Sequence, residues 1–131
     1  MSLKSRELAL TAAAAAQNKK ALDIIILELG ELTVIADYFV ICSGESTTQV
    51  RTIAESIEQE IARIGITPIG REGMRFSHWV LLDYGDVIIH IFEKETRAYY
   101  GLEKLWMDAR TIEFHEDTPG VGRKDKRALH S

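Results

Sequence analysis

Apolar and polar positions are most clearly patterned between Trp79 and Phe92, where Trp79-Val80-Leu81-Leu82-Asp83 and Val87-Ile88-Ile89-His90-Ile91-Phe92 flank a short polar step. The pattern predicts two strands joined by a tight turn at Tyr84-Gly85, since glycine supplies the positive φ that such turns require. With Asp83 opposite Asp86 across the turn, Leu82 faces Val87, Leu81 faces Ile88, Val80 faces Ile89 and Trp79 faces His90. Side chains alternate along a strand, so His78, Val80, Leu82, Val87, Ile89 and Ile91 share one side. Trp79, Leu81, Asp83, Asp86, Ile88, His90 and Phe92 take the other. The first set, aliphatic apart from His78, suits a core. The second mixes an indole, an imidazole and two carboxylates, which suits a partner-binding surface or a reaction site.

The same reading places the other elements. Lys4 to Lys20 is helical, with the highest intrinsic propensity in Ala12 to Ala16. So much alanine implies close packing against something flat, or a partly peripheral helix. Ala21 to Leu29 holds the buried strand Ile24-Ile25-Ile26-Leu27, Gly30-Glu31 breaks it, and Leu32 to Ala36 forms a short helical turn. A strand, apolar on both faces, runs from Asp37 to Ser43. Ser46 and Gln49 have capping-box spacing. Val50, Ile53, Ala54, Ile57, Ile61 and Ile64 then recur at helical period, with Gly65 as the stop. A short strand over Ile66 to Ile69, a polar loop from Gly70 to Ser77, and a helix from Glu95 to Met107 with an irregularity at Gly101 complete the expectations. Strand, helix, strand in mid-chain implies a right-handed parallel crossover. The hairpin adds antiparallel strands. The fold class is α/β: a mixed, partly parallel sheet of about five strands flanked by helices, in one domain over residues 1–109. Beyond Asp108 apolar density falls, and residues 110–131 read as a flexible charged tail.

Length and charge narrow the function. A chain of 131 residues suffices for one real core. A net charge of -4 argues against a protein that wraps bare nucleic acid by electrostatics alone, but not against docking on the protein surface of a nucleoprotein particle; direct sequence-specific binding to nucleic acid is not expected. The basic cluster Arg123-Lys124-Asp125-Lys126-Arg127 reads as a solvated terminus. The one cysteine, Cys42, lies in an apolar run without a basic neighbour, so it reads as a buried, inert thiol. No apolar run is long enough for a membrane span, no secretory signal is visible, and the cytoplasm is the default compartment.

Candidate chemistry is sparse. Asp83 and Asp86 could share a divalent cation, or they could keep a hairpin tip soluble and cap its amides. No third carboxylate is close in sequence. His90 lacks a second histidine at ligand spacing, and a satisfied histidine at the edge of a packed face fits better than a base or metal ligand. Gly44-Glu45-Ser46 sits where nucleotidyltransferases open a helix, but such enzymes need paired acids on the next strand, and Ile66-Thr67-Pro68-Ile69 has none. Tyr and Trp are favoured interface anchors. Tyr99 and Tyr100 are adjacent on a helix, so both cannot enter one core stripe.

An ordered set of motifs carries a family resemblance. Asp37-Tyr38-Phe39-Val40-Ile41-Cys42-Ser43-Gly44, Ser46, Gln49-Val50, Ile53-Ala54, Glu72-Gly73, Trp79 to Asp86, His90-Ile91-Phe92, Arg97, Tyr100 and Leu102-Glu103-Lys104-Leu105-Trp106 together resemble the ribosomal silencing factor family, also called Iojap-like. The similarity runs from about Glu7 to Ala109. The tail lies outside it.

The resemblance implies a nucleotidyltransferase-like fold without its catalytic acids, no enzymatic activity and no cofactor or metal. It implies binding to the large ribosomal subunit through its universal fourteenth protein, at the intersubunit face, where the small subunit is kept from joining and translation falls. The residues read above supply the contact: Trp79, Leu81, Asp83, Asp86 and His90, with Tyr84 at the tip, and Tyr100, Glu103 and Trp106 from the following helix. Two competitors stay open. One is a metal-dependent nucleotidyl- or phosphotransferase using Asp83 and Asp86. The other is a structural homodimer that buries the same hairpin face.

Overall fold

Local signals set most of the elements in the computed structural model, which describes residues 3–114. They are α1 (Leu3–Asn18), β1 (Leu22–Glu28), β2 (Tyr38–Gly44), α2 (Thr47–Ala62), β3 (Gly70–Glu72), β4 (Trp79–Asp83), β5 (Val87–Glu93), α3 (Lys94–Tyr100), a 3-10 helix (Leu102–Trp106) and β6 (Arg110–Glu113). The strands form one six-stranded sheet in the order β3-β4-β5-β2-β1-β6. Among the described strands only β2 and β5 pair in parallel; the other neighbours are antiparallel. The mixed, partly parallel α/β sheet is thus as expected. The crossover through α2 is different in detail: it carries the chain to the far edge at β3, and β4 and β5 then fill the gap back to β2.

The start of α2 follows its sequence signal closely. Ser46 Oγ accepts from the Gln49 amide at 3.2 Å, and Gln49 Oε1 accepts from the amide of Glu45. The Gln49 side-chain nitrogen also donates to the carbonyls of Lys19 and Lys20, tying the end of α1 to the start of α2. Val50, Ile53, Ala54, Ile57 and Ile61 are buried as the stripe requires. Ile64 lies beyond the last turn and is exposed. The alanine-rich α1 packs closely: Ala9, Ala12, Ala13 and Ala16 are fully buried between α2 and the sheet. Small side chains let the backbones approach, and the core on this face is completed by Val40, Val80, Leu82, Ile89 and Ile91.

Four expectations are corrected. Leu32 to Ala36 forms a turn and bends, not a helical turn. Ile66 to Ile69 is not a strand; Pro68 has no amide to donate, and the ladder to β4 covers Gly70–Glu72, preceded by the Ile69 amide on the Asp83 carbonyl at 2.7 Å. The irregularity expected at Gly101 is present, but it ends the helix instead of bending it: a left-handed φ of 55° redirects the chain into the 3-10 helix. Finally, residues 110–113 are no tail. β6 pairs with β1, setting Ile112 opposite Ile26, and Phe114 is buried in the helix-side core. The expected tail over 115–131 lies outside the described residues.

A second, thinner layer covers the opposite face. Leu27, Leu29, Ala36, Phe39, Ile41 and Phe92 form its buried centre, capped by Leu102, Trp106 and Ala109. α3 packs over β5 and β2. Burial along β4 alternates, half-buried at Trp79, Leu81 and Asp83 and buried at Val80 and Leu82.

Candidate partner-binding face

The hairpin forms, but with its turn moved by one residue. Trp79 pairs with Phe92, Leu81 with His90 and Asp83 with Ile88. The Tyr84 amide bonds the Val87 carbonyl at 2.9 Å, so Gly85-Asp86 is the tip. Relative to the expected pairing each strand partner shifts by two positions. A two-residue slip preserves which face each side chain takes. The aliphatic side therefore remains Val80, Leu82, Val87, Ile89 and Ile91, all buried. His78 does not join it; the residue precedes β4, is exposed, and pairs its Nδ1 with Glu93 at 2.7 Å.

The mixed side divides into covered and uncovered parts. Phe92 and His90 lie on β5 beneath the second layer and are buried. Trp79 and Leu81 lie on β4, beyond the reach of most of that layer, and stay half-buried. Tyr100, 56% exposed, closes one edge with its ring centroid 5.0 Å from that of Trp79. Trp106 is half-buried against Phe39 at 5.9 Å, with exposed Leu105 and Met107 beside it in sequence. Glu72, opposite Leu81 in the ladder, puts an acidic, exposed rim on the same side.

His90 is the electrostatic oddity of this face. Its Nδ1 accepts from the Trp79 indole nitrogen at 3.1 Å, which assigns the ring proton to Nε2. Nε2 is buried with no hydrogen-bond partner among the described residues. The imidazole stacks near Phe92 at 6.2 Å and meets Phe39 edge-on at 4.7 Å. Burial in this apolar shell pushes its pKa down to about 4, so the ring is neutral near physiological pH.

Several candidates also have partners within the fold. Tyr84 does not project from the tip; it packs on the helix side with Ile66 and Met74. Burial first, then the nearby Glu58, pushes its phenol up to about 12 against the opposing pull of Arg71. Asp86 is exposed and accepts a long bond from Ser5 of α1 at 3.4 Å. Asp83 instead caps its own turn, accepting from the Gly85 amide at 2.8 Å. The two carboxylates take different partners, and among the described residues no group of three or more His, Cys, Asp or Glu side chains could hold a metal ion. His90 is too deep to touch a partner directly.

Glu103 is half-buried and held by Arg97, whose Nε donates to Oε2 at 3.0 Å. Arg97 also donates from Nη1 to the Asp23 carbonyl at 2.8 Å and to Ser43 Oγ at 2.9 Å. This clamp, lining a cleft of about 370 Å³ with Lys94 and Lys104, fastens the covering layer to the ends of β1 and β2. Sequence reasoning missed the roles of Arg97 and Phe39. Phe39 sits in a strand apolar on both faces, where periodicity cannot say which side it takes.

Comparison with known proteins agrees with the motifs. A family model described as ribosomal silencing factor during starvation matches residues 2–130. The match passes Ala109, so the limit set by the motifs alone was too short. Ribosomal silencing factor RsfS of Bacillus subtilis is 47% identical over 98 residues, covering 75% of this chain and 83% of the relative. A mouse protein named mitochondrial assembly of ribosomal large subunit protein 1 is 30% identical over 93 residues, covering 69% and 41%. A crystal structure from Chromobacterium violaceum superposes with a TM-score of 0.77 at 29% identity, covering 92% of this chain and 98% of that one.

Proposed function

The chain belongs to the ribosomal silencing factor family, and from that membership we propose that it docks on the large ribosomal subunit and keeps the small subunit from joining, repressing translation without catalysis. The uncovered outer face of β4 is the docking surface, and the universal fourteenth protein of the large subunit is its partner. Blocking is steric: a small domain on an intersubunit surface needs only affinity and bulk. The observation that carries this reading is that Trp79 and Leu81 remain half-exposed while their ladder partners on the same sheet face, Phe92 and His90, are sealed. Tyr100 widens that apolar centre, and Asp83 and Glu72 give it an acidic border suited to a basic ribosomal protein.

Sedimentation with isolated large and small subunits tests the reading. The protein should travel with large subunits alone and lower subunit association. Trp79→Ala or Leu81→Ala should weaken binding by about 2 kcal/mol, roughly thirtyfold, while the domain stays folded. Undiminished affinity in a folded Trp79→Ala variant removes this face from the contact.

A further inference from the structure

Burying an imidazole with one nitrogen unpartnered is unfavourable, and a leucine would fill this shell without that penalty. His90 is 4% exposed, its Nε2 is orphaned, and rings surround it. Among the described residues its one hydrogen bond is with the half-exposed Trp79, across 3.1 Å from indole nitrogen to Nδ1. Trp79 otherwise packs against the apolar layer, with Phe92 at 4.7 Å and planes 30° apart, and Tyr100 at 5.0 Å and planes 49° apart. Ring contacts of this kind constrain the plane of an indole, but they distinguish poorly between its two flips, because either flip offers a ring face to the same neighbours. A hydrogen bond to a fixed acceptor is directional and selects one flip of the ring.

We infer that His90 is a positioning residue: it touches no partner, and its buried Nδ1 fixes the Trp79 indole in the orientation in which its outer edge meets the large subunit. This rests on the docking reading above. The orphaned Nε2–H follows from it. The tautomer that accepts from Trp79 must carry its proton on the far nitrogen, inside an apolar shell that offers no acceptor. Pre-setting the anchor removes rotamer entropy that binding would otherwise have to remove.

The test compares His90→Leu with His90→Asn. The asparagine side-chain oxygen stands in nearly the place of Nδ1, so it keeps the acceptor, whereas leucine keeps only the volume. The indole N–H resonance of Trp79 reports the bond directly, with that of Trp106 as an internal reference in the same spectrum. Large-subunit binding is measured by sedimentation on the same samples. His90→Leu should shift the Trp79 signal alone and bind about tenfold more weakly, while its denaturant midpoint at neutral pH is unchanged or higher. His90→Asn should retain the shift and bind within about twofold of the parent protein. Wild-type binding by a His90→Leu protein whose indole bond is lost overturns the inference. So does equal weakening in both variants when asparagine retains the indole shift. Trp79→Ala run alongside separates the two levels: if it binds undiminished, the docking reading itself fails and takes the positioning role with it.

Discussion

His90 and Cys42 show how burial sets chemistry at single residues. The Cys42 thiol is fully buried, and desolvation drives its pKa up to about 12 despite the opposing Arg97. Such a thiol has almost no thiolate at neutral pH, in keeping with the inert reading. His90 moves the other way. An unfolded imidazole titrates near 6.5 and the folded one near 4. Between those values the unfolded chain binds more protons, so stability is complete above about 6.5, declines as pH falls toward 4, and loses nothing further from this group below that. The gap corresponds to roughly 3 kcal/mol. Urea midpoints near neutrality and near pH 4 should therefore converge in a His90→Leu variant by about that amount relative to the parent. An unaltered pH dependence would place the imidazole in water rather than in its ring cage. The residue was legible as the edge of a packed face, but its depth was not, because depth depends on what the second layer covers.

That second layer is where the elements interlock. α3 is short and buries none of its own residues, so packing alone holds it weakly. Arg97 supplies the missing attachment, reaching 54 residues back to Ser43 and 74 back to Asp23. Its side chain is only 11% exposed, and its removal strands the Glu103 carboxylate, one oxygen of which is already buried without a partner among the described residues. Arg97→Met should destabilise the protein by roughly 3 kcal/mol. Hydrogen exchange should show the loss as faster exchange in the 3-10 helix amides, with α2 little changed at low denaturant. Uniform acceleration through the sheet would mean that Arg97 does not act as a local fastening.

Element by element, legibility followed range. α2 could be read because its cap and stripe lie within a few residues of one another. The hairpin faces survive a misplaced turn because a slip of two keeps parity, but Tyr84, expected at the tip, packs on the helix side in step with Leu82, and Asp86, now in the turn, meets α1 instead of the mixed face. The clamp joins residues far apart in the chain, and nothing local announces it.

At the scale of the molecule, β6 closes a sheet that the sequence left open at β1. Its four residues occupy the outer ladder of β1, and Phe114 enters the core between the sheet and α1. Cutting the chain after Ala109, the boundary that apolar density suggested, should cost about 3 kcal/mol or more and expose an edge prone to pairing between molecules. A chain ending after Phe114 should keep most of that stability. Chemical denaturation and light scattering on the pair would check this; equal midpoints would make β6 dispensable. The strand was hard to read because four residues cannot show a period convincingly, and a charged stretch follows them.

The sheet's uneven roofing has a practical corollary. Both tryptophans of the chain belong to the same run of rings, Trp79 beside Phe92 and Trp106 beside Phe39, and both retain some contact with solvent. Any visitor settling on that side must dry one indole or the other. The unlabelled protein is therefore its own optical gauge, and replacing Trp106 by phenylalanine would leave a lone emitter at the spot where arrival matters.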